Sequence, residues 1–304
     1  MRALSDYQLA DWGKGTPLVH GIKRARNIAT ERIFRSLPAR GYAAFMADLT
    51  ARRPDVLAIT IAYNTPWVID LMTQVSPPNL NGTLVVCDNS RKSAARRAIA
   101  RICKDRGVPY LALPFNLERH PCRSHGIVLN WAYHNIVAQV KPRVFGFLDH
   151  DLFAVEPLDL AAQVADQPVY GRIDQSVWGW NLWAGFCMFD RAAIAELRPD
   201  FNNDIPRRLD TGGRNFMQIY RHLDRDRIRR AGVRMQEFHL PGDPRGFFVQ
   251  RIDNLLHVGG ASFHDGDDDK TKLEEDFYRG VVRHVQCGGT LAELTMPPNE
   301  RRVA

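Results

Sequence analysis

The sequence predicts an α/β protein in which a mostly parallel central sheet carries helices on both faces. Between residues 56 and 148, short apolar runs rich in β-branched residues alternate with helix-like stretches. That order is typical of parallel sheets. The first run, 56–62, is apolar throughout, and such continuous runs are typical of strands buried on both faces.

Four strands and the helices between them follow from this pattern. The apolar runs end at turn residues, and Pro66 suits the first turn of the helix after the first strand. A turn is expected at Pro77-Pro78-Asn79, before the second strand. The predicted strands are 56–62, 83–87, 108–113 and 144–148, and the predicted helices are 67–75, 92–106 and 124–140.

The flanking sequence gives a weaker pattern. Further strands are predicted at 169–172 and 183–191, a helix at 215–230, and two N-terminal helices at about 28–37 and 42–52. The predicted organisation is a basic lead-in or cap (1–53), a main domain (54–270) in two halves (about 54–151 and 152–270), and a C-terminal tail (271–304).

The composition suits a globular protein that attracts anions. The chain has 304 residues, 45% of them apolar, and a formal net charge of +7. Such a charge attracts nucleic acid, phosphorylated substrates or an anionic bilayer surface. Because the basic residues form no recognisable reader motif, nucleic acid is the least favoured of these partners.

Cysteine usage and hydropathy indicate a cytoplasmic protein, with peripheral membrane contact through basic residues as its only expected membrane association. The five cysteines form no Cys-x-x-Cys pair, which favours reduced thiols. The N-terminus does not read as a secretory signal. No run approaches the roughly 20 apolar residues needed to span a bilayer.

Polar residues stand at the end of every predicted strand. Parallel strands place their carboxyl ends at one edge, where ligands bind. An acid after the second strand is placed to accept hydrogen bonds from ribose hydroxyls. The chain has neither a Gly-x-Gly-x-x-Gly nor a P-loop motif, so the phosphates need another partner. The strand-end residues are Tyr63, Asn64, Asp88, Asn89, Asn116, Asp149 and Asp151.

The acids Asp149 and Asp151 are the centre of the prediction. Side chains alternate along an extended backbone, so these two carboxylates are expected on one side of the strand's end. Close carboxylates repel unless a cation or water separates them, and Mg²⁺ is typically held by one or two carboxylates plus substrate phosphates. A solvated turn is the alternative interpretation of the same residues.

This arrangement resembles the GT-A fold glycosyltransferases, most closely in style the family 2 enzymes, over about residues 56–264. The resemblance implies a nucleotide-diphospho-sugar donor and Mn²⁺ or Mg²⁺ held by Asp149 and Asp151. It implies that residues 54–270 are a catalytic domain with a nucleotide half (54–151) and an acceptor half (152–270). It also implies Arg123 as a diphosphate contact, although the usual Gly after Asn116 is missing. The implied nucleoside contacts are Tyr63, Asn64, Asp88 and Asn89.

Downstream residues extend the resemblance. Trp183 and Gly185 lie on a segment similar to the family's strand at the sugar and acceptor site. The three neighbouring tryptophans, Trp178, Trp180 and Trp183, could equally fill the core. Asp210 resembles the family's base and could equally be a plain helix cap. His257 or His264 resembles a histidine metal ligand, and His257 is preferred.

The predicted activity is transfer of a sugar to a hydroxyl of a carbohydrate, lipid-linked or other acceptor. With Asp210 as base, a single displacement inverts the anomeric centre. The first rival is a metal-dependent phosphotransferase or nucleotidyltransferase, which uses similar carboxylates. The second is a binding protein, including a catalytically silent member of the same fold.

Overall fold

The computed structural model describes residues 4–261 and 269–295. Ten strands form two sheets within this part of the chain. The strands are β1 (Val56–Ala62), β2 (Thr83–Asp88), β3 (Tyr110–Ala112), β4 (Val144–Leu148), β5 (Leu152–Ala154), β6 (Val169–Ser176), β7 (Gly179–Asp190), β8 (Val233–His239), β9 (Gly246–Ile252) and β10 (Leu255–His257).

The larger sheet has six strands in the order β3-β2-β1-β4-β7-β6. Strands β3, β2, β1 and β4 are mutually parallel, while β7 runs antiparallel to β4 and to β6. The smaller sheet, β5-β10-β9-β8, is antiparallel. The predicted class, a mostly parallel sheet in an α/β protein, is confirmed.

The helices cover both faces of the larger sheet. They are α1 (Leu9–Gly13), α2 (Thr16–Ser36), α3 (Tyr42–Arg52), α4 (Pro66–Asn79), α5 (Ser93–Asp105), α6 (Pro121–Ala132), α7 (Ala138–Val140), α8 (Leu160–Gln163), α9 (Arg191–Ile194), α10 (Asn215–Gln218), α11 (Asp269–Gln286) and α12 (Leu291–Leu294). A π-helical turn, Tyr133–Val137, joins α6 to α7, and short 3₁₀ turns lie at Leu4–Asp6, Ala195–Leu197, Ile205–Arg207 and Tyr220–His222.

Alternate residues of the buried strands supply two separate cores, as a pleated strand requires. In β1, Ala58 joins the core that includes α4, α11 and the smaller sheet. Its neighbours Leu57 and Ile59 join the opposite core, with α3 and α6. The strand is buried along its whole length, which is why it reads as a continuous apolar run.

Helix α4 extends beyond the prediction. Pro77 and Pro78 lie inside its last turn, where a turn was expected. A proline near the C-terminus keeps a helical φ and forfeits only a hydrogen bond to a carbonyl one turn earlier. Asn79 then stabilises this end, because its side-chain amide donates to the carbonyl oxygens of Val75 (3.0 Å) and Ala154 (3.2 Å).

The predicted helix 215–230 is wrong. Only α10 and the 3₁₀ turn Tyr220–His222 are helical there. Residues 221–230 contain just two apolar side chains, Leu223 and Ile228. A helix without an apolar face gains too little from packing to form.

Both ends of the described chain pack onto the central sheet. Phe34, Phe45 and Leu49 of the N-terminal helices are buried in one core. Helix α11 packs on α4, where Arg279 pairs with Asp70 at 3.0 Å. The division at residues 53 and 270 stays a prediction. No helix in the described ranges is long and apolar enough to cross a membrane.

Candidate metal centre at the sheet edge

Asp149 and Asp151 lie in a tight turn rather than along an extended strand, which corrects the expected geometry. Strand β4 ends at Leu148. The Asp149 N–H donates to the Gly185 carbonyl (2.8 Å), and the Leu152 N–H donates back to the Asp149 carbonyl (3.1 Å). The turn still places the two carboxylates together, at the carboxyl end of the parallel strands.

His257 completes a cluster with these two acids. Strand β5 begins directly after the turn and pairs with β10, so that His257 lies opposite Leu152. One ligand atom from each of Asp149, Asp151 and His257 lies within 4.8 Å of the others. Opposite ligands of one hard cation lie about 4–5 Å apart, twice a metal–oxygen distance of roughly 2.0–2.6 Å. The spacing therefore suits a single ion.

The burial of Asp151 fits a cation site better than a solvated turn. Its side chain is only 4% exposed. One carboxylate oxygen, Oδ2, accepts from the Ala261 N–H at 3.2 Å. The other, Oδ1, has no hydrogen-bond partner among the described residues and lies 3.4 Å from His257 Nε2. A buried carboxylate oxygen without a partner is costly, and a bound cation would satisfy it.

Gln250 fixes the orientation of the His257 ring. Its Oε1 lies 2.7 Å from His257 Nδ1. With the amide oxygen as acceptor, the proton sits on Nδ1 and Nε2 presents a lone pair toward Asp151. Metal-binding histidines are commonly held in this way. Gln250 lies on β9, directly opposite His257 of β10.

His150 supplies positive charge between the two acids. Burial opposes ionisation of the Asp149 carboxyl, but the hydrogen bond and charge of His150, with His125 and His257, hold its pKa well below the ordinary value. Burial likewise lowers the pKa of His150, and the two neighbouring acids outweigh it, so that its pKa is raised. The charges of Asp149 and His150 therefore stabilise each other.

Trp183 and Gly185 form one wall of this centre. A Cβ on Gly185 would lie 2.2 Å from the Trp183 ring, so the indole covers the glycine and a side chain there would displace it. The ring also meets His257 edge-on at 5.1 Å between centroids and carries the Arg172 guanidinium 4.7 Å above it. Trp180, by contrast, is buried against Tyr220 and belongs to the core.

Asp210 is an exposed carboxylate on the neighbouring side of the same edge. The Thr211 hydroxyl donates to the Cys122 carbonyl at 3.2 Å, which ties the Asp210 turn to α6. Burial raises the pKa of the Cys122 thiol to about 11, and the charge of Asp210 and a hydrogen bond to it add to the rise. Burial lowers the pKa of His125, against opposing charges that include Asp149 and Asp210. His125 therefore lies within electrostatic reach of both acids.

The alternative interpretation of Asp210 as a helix cap is wrong. Helix α10 begins at Asn215, and its N-cap position is Arg214. The Asp210 carbonyl instead accepts from the Gly213 N–H at 2.8 Å in a turn. The Asp210 side chain does not cap a helix.

The predicted nucleoside contacts after β2 are engaged in internal hydrogen bonds. The Asp88 carboxylate accepts from the Ser90 N–H (2.7 Å) and from the Tyr110 hydroxyl (2.8 Å), and the residue is fully buried. The Asn89 side-chain amide donates to Ser124 Oγ at 3.2 Å, and its buried Oδ1 has no hydrogen-bond partner among the described residues.

The residues after β1 stabilise the loops of this edge. Asn64 has a positive φ of 56°, and its Oδ1 accepts from the N–H groups of Arg91 and Lys92, both at 3.0 Å. Tyr63 is half-buried beside it, and its carbonyl accepts from the Thr65 hydroxyl at 3.0 Å. The asparagine amide oxygen is thus used within the protein.

Arg123 is paired rather than free. Its guanidinium contacts both oxygens of the buried Glu118, at 3.1 and 3.2 Å. The side chain is 21% exposed, so a diphosphate could reach it only beside or in place of this pair. Asn116 is buried, and its amide donates to Ser124.

Several residues of the site carry no recognisable signal in the sequence. Gln250, Tyr110 and Cys122 are isolated polar residues without a motif, and their roles come from strand pairing and helix docking. A prediction of the β9–β10 hairpin would have found Gln250, because that hairpin places it opposite His257. His264 lies outside the described residues.

No protein-family model and no curated protein matches the chain. Among solved structures, a mannosyltransferase from Pyrobaculum calidifontis in complex with GDP-Man and Mn²⁺ is 13% identical, with a TM-score of 0.35 over 60% of this chain and 58% of that one. Glucosyl-3-phosphoglycerate synthase from Mycobacterium tuberculosis, in complex with Mg²⁺ and UDP, is 15% identical, with a TM-score of 0.31 over 52% of this chain and 63% of that one. These matches cover less than two thirds of either solved chain and do not assign a family.

Proposed function

We propose that the protein transfers a sugar from a nucleotide-diphospho-sugar to an acceptor hydroxyl. The observation that carries the proposal is the cluster of Asp149, Asp151 and His257 at the carboxyl edge of a parallel sheet, with Asp151 Oδ1 buried and unpartnered. Ligands bind at this edge in open α/β sheets. The proposal joins this geometry to the resemblance of the sequence to GT-A glycosyltransferases.

The donor side of the proposal rests on the chain's own polar groups. Asp149, Asp151 and His257 would hold Mn²⁺ or Mg²⁺, and such an ion supplies positive charge against a departing diphosphate. The imidazole favours Mn²⁺ of the two. The groups proposed to surround the donor are Tyr63, Asn64, Asp88, Asn89, Arg123, Trp183 and Gly185.

The acceptor side is assigned to Asp210. It is exposed, caps no helix and lies near His125 and Asp174. As a general base it would take the proton of the attacking hydroxyl, and a single displacement would invert the anomeric centre. The Trp183 face, beside the metal centre, is suited to the apolar face of a sugar ring.

Ligand-dependent thermal unfolding is the first test. The protein is heated with UDP, GDP, dTDP or CMP, each with and without Mn²⁺. A ligand that binds only the folded state raises the melting temperature. We expect one nucleoside diphosphate to raise it, and to do so more strongly with Mn²⁺. If no nucleotide shifts the transition with or without the ion, the donor proposal fails.

Product analysis then separates the rival activities. With the matching nucleotide-sugar and a simple sugar acceptor, glycosyl transfer releases nucleoside diphosphate and forms an inverted glycoside. Release of inorganic phosphate or pyrophosphate instead indicates the phosphotransferase or nucleotidyltransferase alternative. Binding of nucleotide without turnover of any sugar indicates a silent member of the fold.

A further inference from the structure

Helix α2 carries a row of apolar residues on its outer face, in addition to the buried Phe34. Five residues at spacings of 4, 3, 4 and 4 form one exposed stripe along it: Leu18, Ile22, Ala25, Ala29 and Ile33. The three large side chains are 70%, 60% and 60% exposed, in chain order. Because spacings of three and four residues keep side chains on one face, the stripe is continuous. It extends about 22 Å at 1.5 Å per residue.

The opposite face of α2, which is turned toward the protein, is mixed: Pro17 and Phe34 are buried there together with two polar residues. Asn27 is 2% exposed and accepts from the Arg214 guanidinium at 2.6 Å. Glu31 is also buried and pairs with Arg35 at 3.4 Å. His20 lies 3.0 Å from the Tyr7 hydroxyl. In a usual surface helix the apolar stripe faces the core, whereas the stripe of α2 faces away from it.

The rest of the described surface does not share this concentration. Eight of the fifteen exposed large apolar side chains lie within residues 4–37. Leu9 and Trp12, on α1 just before α2, are 90% and 49% exposed. Contiguous exposed apolar surface of this kind marks a contact with a partner or a membrane.

The charges beside the stripe indicate which kind of partner it contacts. Lys23, Arg26 and Arg32 are exposed on α2, whereas its single acid, Glu31, is buried. A second copy of the same helix would bring like charges together. An apolar stripe flanked by lysine and arginine is typical of helices that lie in the surface of an anionic bilayer.

We propose that α2 is a membrane-docking helix, which seats its stripe of Leu18, Ile22, Ala25, Ala29 and Ile33 in the headgroup region of an anionic bilayer. The flanking basic residues contact lipid phosphates. This docking is independent of sugar transfer, since none of these residues belongs to the metal centre. It would place the protein on the surface of a bilayer.

Sedimentation with vesicles tests the proposal. We expect the full chain to pellet with vesicles of phosphatidylcholine plus phosphatidylglycerol, to pellet less with pure phosphatidylcholine, and to be released by salt. The triple variant Leu18→Ser/Ile22→Ser/Ile33→Ser should lower the partition coefficient at least about tenfold, because three aliphatic side chains no longer leave water.

Matched variants keep the test interpretable. The triple variant Val233→Ser/Met235→Ser/Phe248→Ser removes exposed apolar side chains from the smaller sheet and should bind vesicles as the unchanged protein does. Lys23→Gln/Arg32→Gln should lose mainly the preference for phosphatidylglycerol. All the changed side chains are exposed, so unfolding temperatures should stay close to that of the unchanged protein.

Three outcomes would overturn the proposal. The first is a full chain that binds neither kind of vesicle, and the second is an equal loss of binding in the two serine triple variants. The third is a dimer seen by light scattering that the α2 variant converts to monomer, which would assign the stripe to a second copy. Nucleotide-dependent thermal shifts report on the metal centre separately, so failure of docking is distinguishable from failure of the proposed activity.

Discussion

Two groups of polar residues share one edge of the central sheet and differ in how their atoms are used. After β1 and β2, Asn64 and Asp88 spend their side-chain oxygens on internal hydrogen bonds, and Arg123 is paired with Glu118. After β4, Asp151 has a buried oxygen without a hydrogen-bond partner in the described part of the chain, and His257 Nε2 lies 3.4 Å from it.

The difference separates contacts that hold the loops from a carboxylate oxygen that is available to a cation. Because satisfied hydrogen bonds hold the loops in one conformation, a donor nucleotide would gain little by displacing them and would bind beside them, where Asn89 Oδ1 has no partner among the described residues. An unsatisfied buried carboxylate costs stability until a cation arrives. The region after β4 is therefore where ligand binding should change stability most, and the region after β2 is where mutation should change stability without changing metal binding.

Removal of the Asp151 carboxylate should have the largest effect on activity. Asp151→Asn takes away a proposed ligand and its charge, and we expect transfer to fall by about 10⁴-fold or more, since metal ions contribute several kcal/mol to such reactions. Titration calorimetry should show no saturable Mn²⁺ binding. Asp226→Asn, at a 79% exposed side chain, is the matched control. Mn²⁺ binding of unchanged affinity in Asp151→Asn would contradict the assignment.

Asp210→Asn should come next in size. Loss of a general base lowers kcat by about 10²- to 10⁴-fold. Because Asp210 is not in the proposed ligand set, the thermal shift caused by Mn²⁺ and nucleotide should be retained. Steady-state kinetics with saturating donor measure the effect. If kcat stays within about twofold of the unchanged protein, Asp210 is not the base.

Gln250→Ala tests the support of His257 and should have a smaller effect. Loss of the partner that orients a metal-binding histidine typically weakens metal binding about 10- to 100-fold. Gln250→Glu keeps an acceptor for the Nδ1 proton and should restore most of the affinity. Equal Mn²⁺ affinity in both variants and the unchanged protein would show that Gln250 does not position the ring.

Tyr110→Phe should alter stability without altering Mn²⁺ binding. It deletes the hydroxyl that donates to Asp88, which leaves a fully buried carboxylate oxygen with one partner fewer. We expect the free energy of unfolding to fall by about 1–3 kcal/mol, as measured by urea denaturation. The temperature shift caused by Mn²⁺ should be unchanged. Loss of the Mn²⁺-induced temperature shift would show that the regions after β2 and after β4 are coupled.

The parallel part of the fold was predictable because its strands are buried on both faces. Residues 56–62 and 144–148 are apolar without interruption, and helices separate them, so pattern alone defines their order. Strands β8 and β9 have several exposed positions. Their mixed sequences resemble surface segments, which is why the smaller sheet was missed.

The metal centre was only partly predictable for a related reason. Asp149 and Asp151 are separated by one residue and follow a clear strand, so they could be found directly. His257 could be suggested only by resemblance, because its place beside Asp151 depends on the β5–β10 pairing. Gln250 depends on the further pairing of β9. A residue whose position depends on more strand pairings is harder to predict from the local sequence.

Asn64 and Arg91 tie three separate loops into one unit. The Asn64 amide oxygen binds the backbone of the loop after β2, and the Arg91 guanidinium donates to the carbonyl oxygens of Asn116 (2.9 Å) and Glu118 (2.7 Å), in the loop after β3. A molecule that pushes against any one of these loops will therefore shift all three together. Ligand selectivity at this edge is then a property of the three linked loops together. A substitution in one loop should therefore alter ligand recognition by the other two.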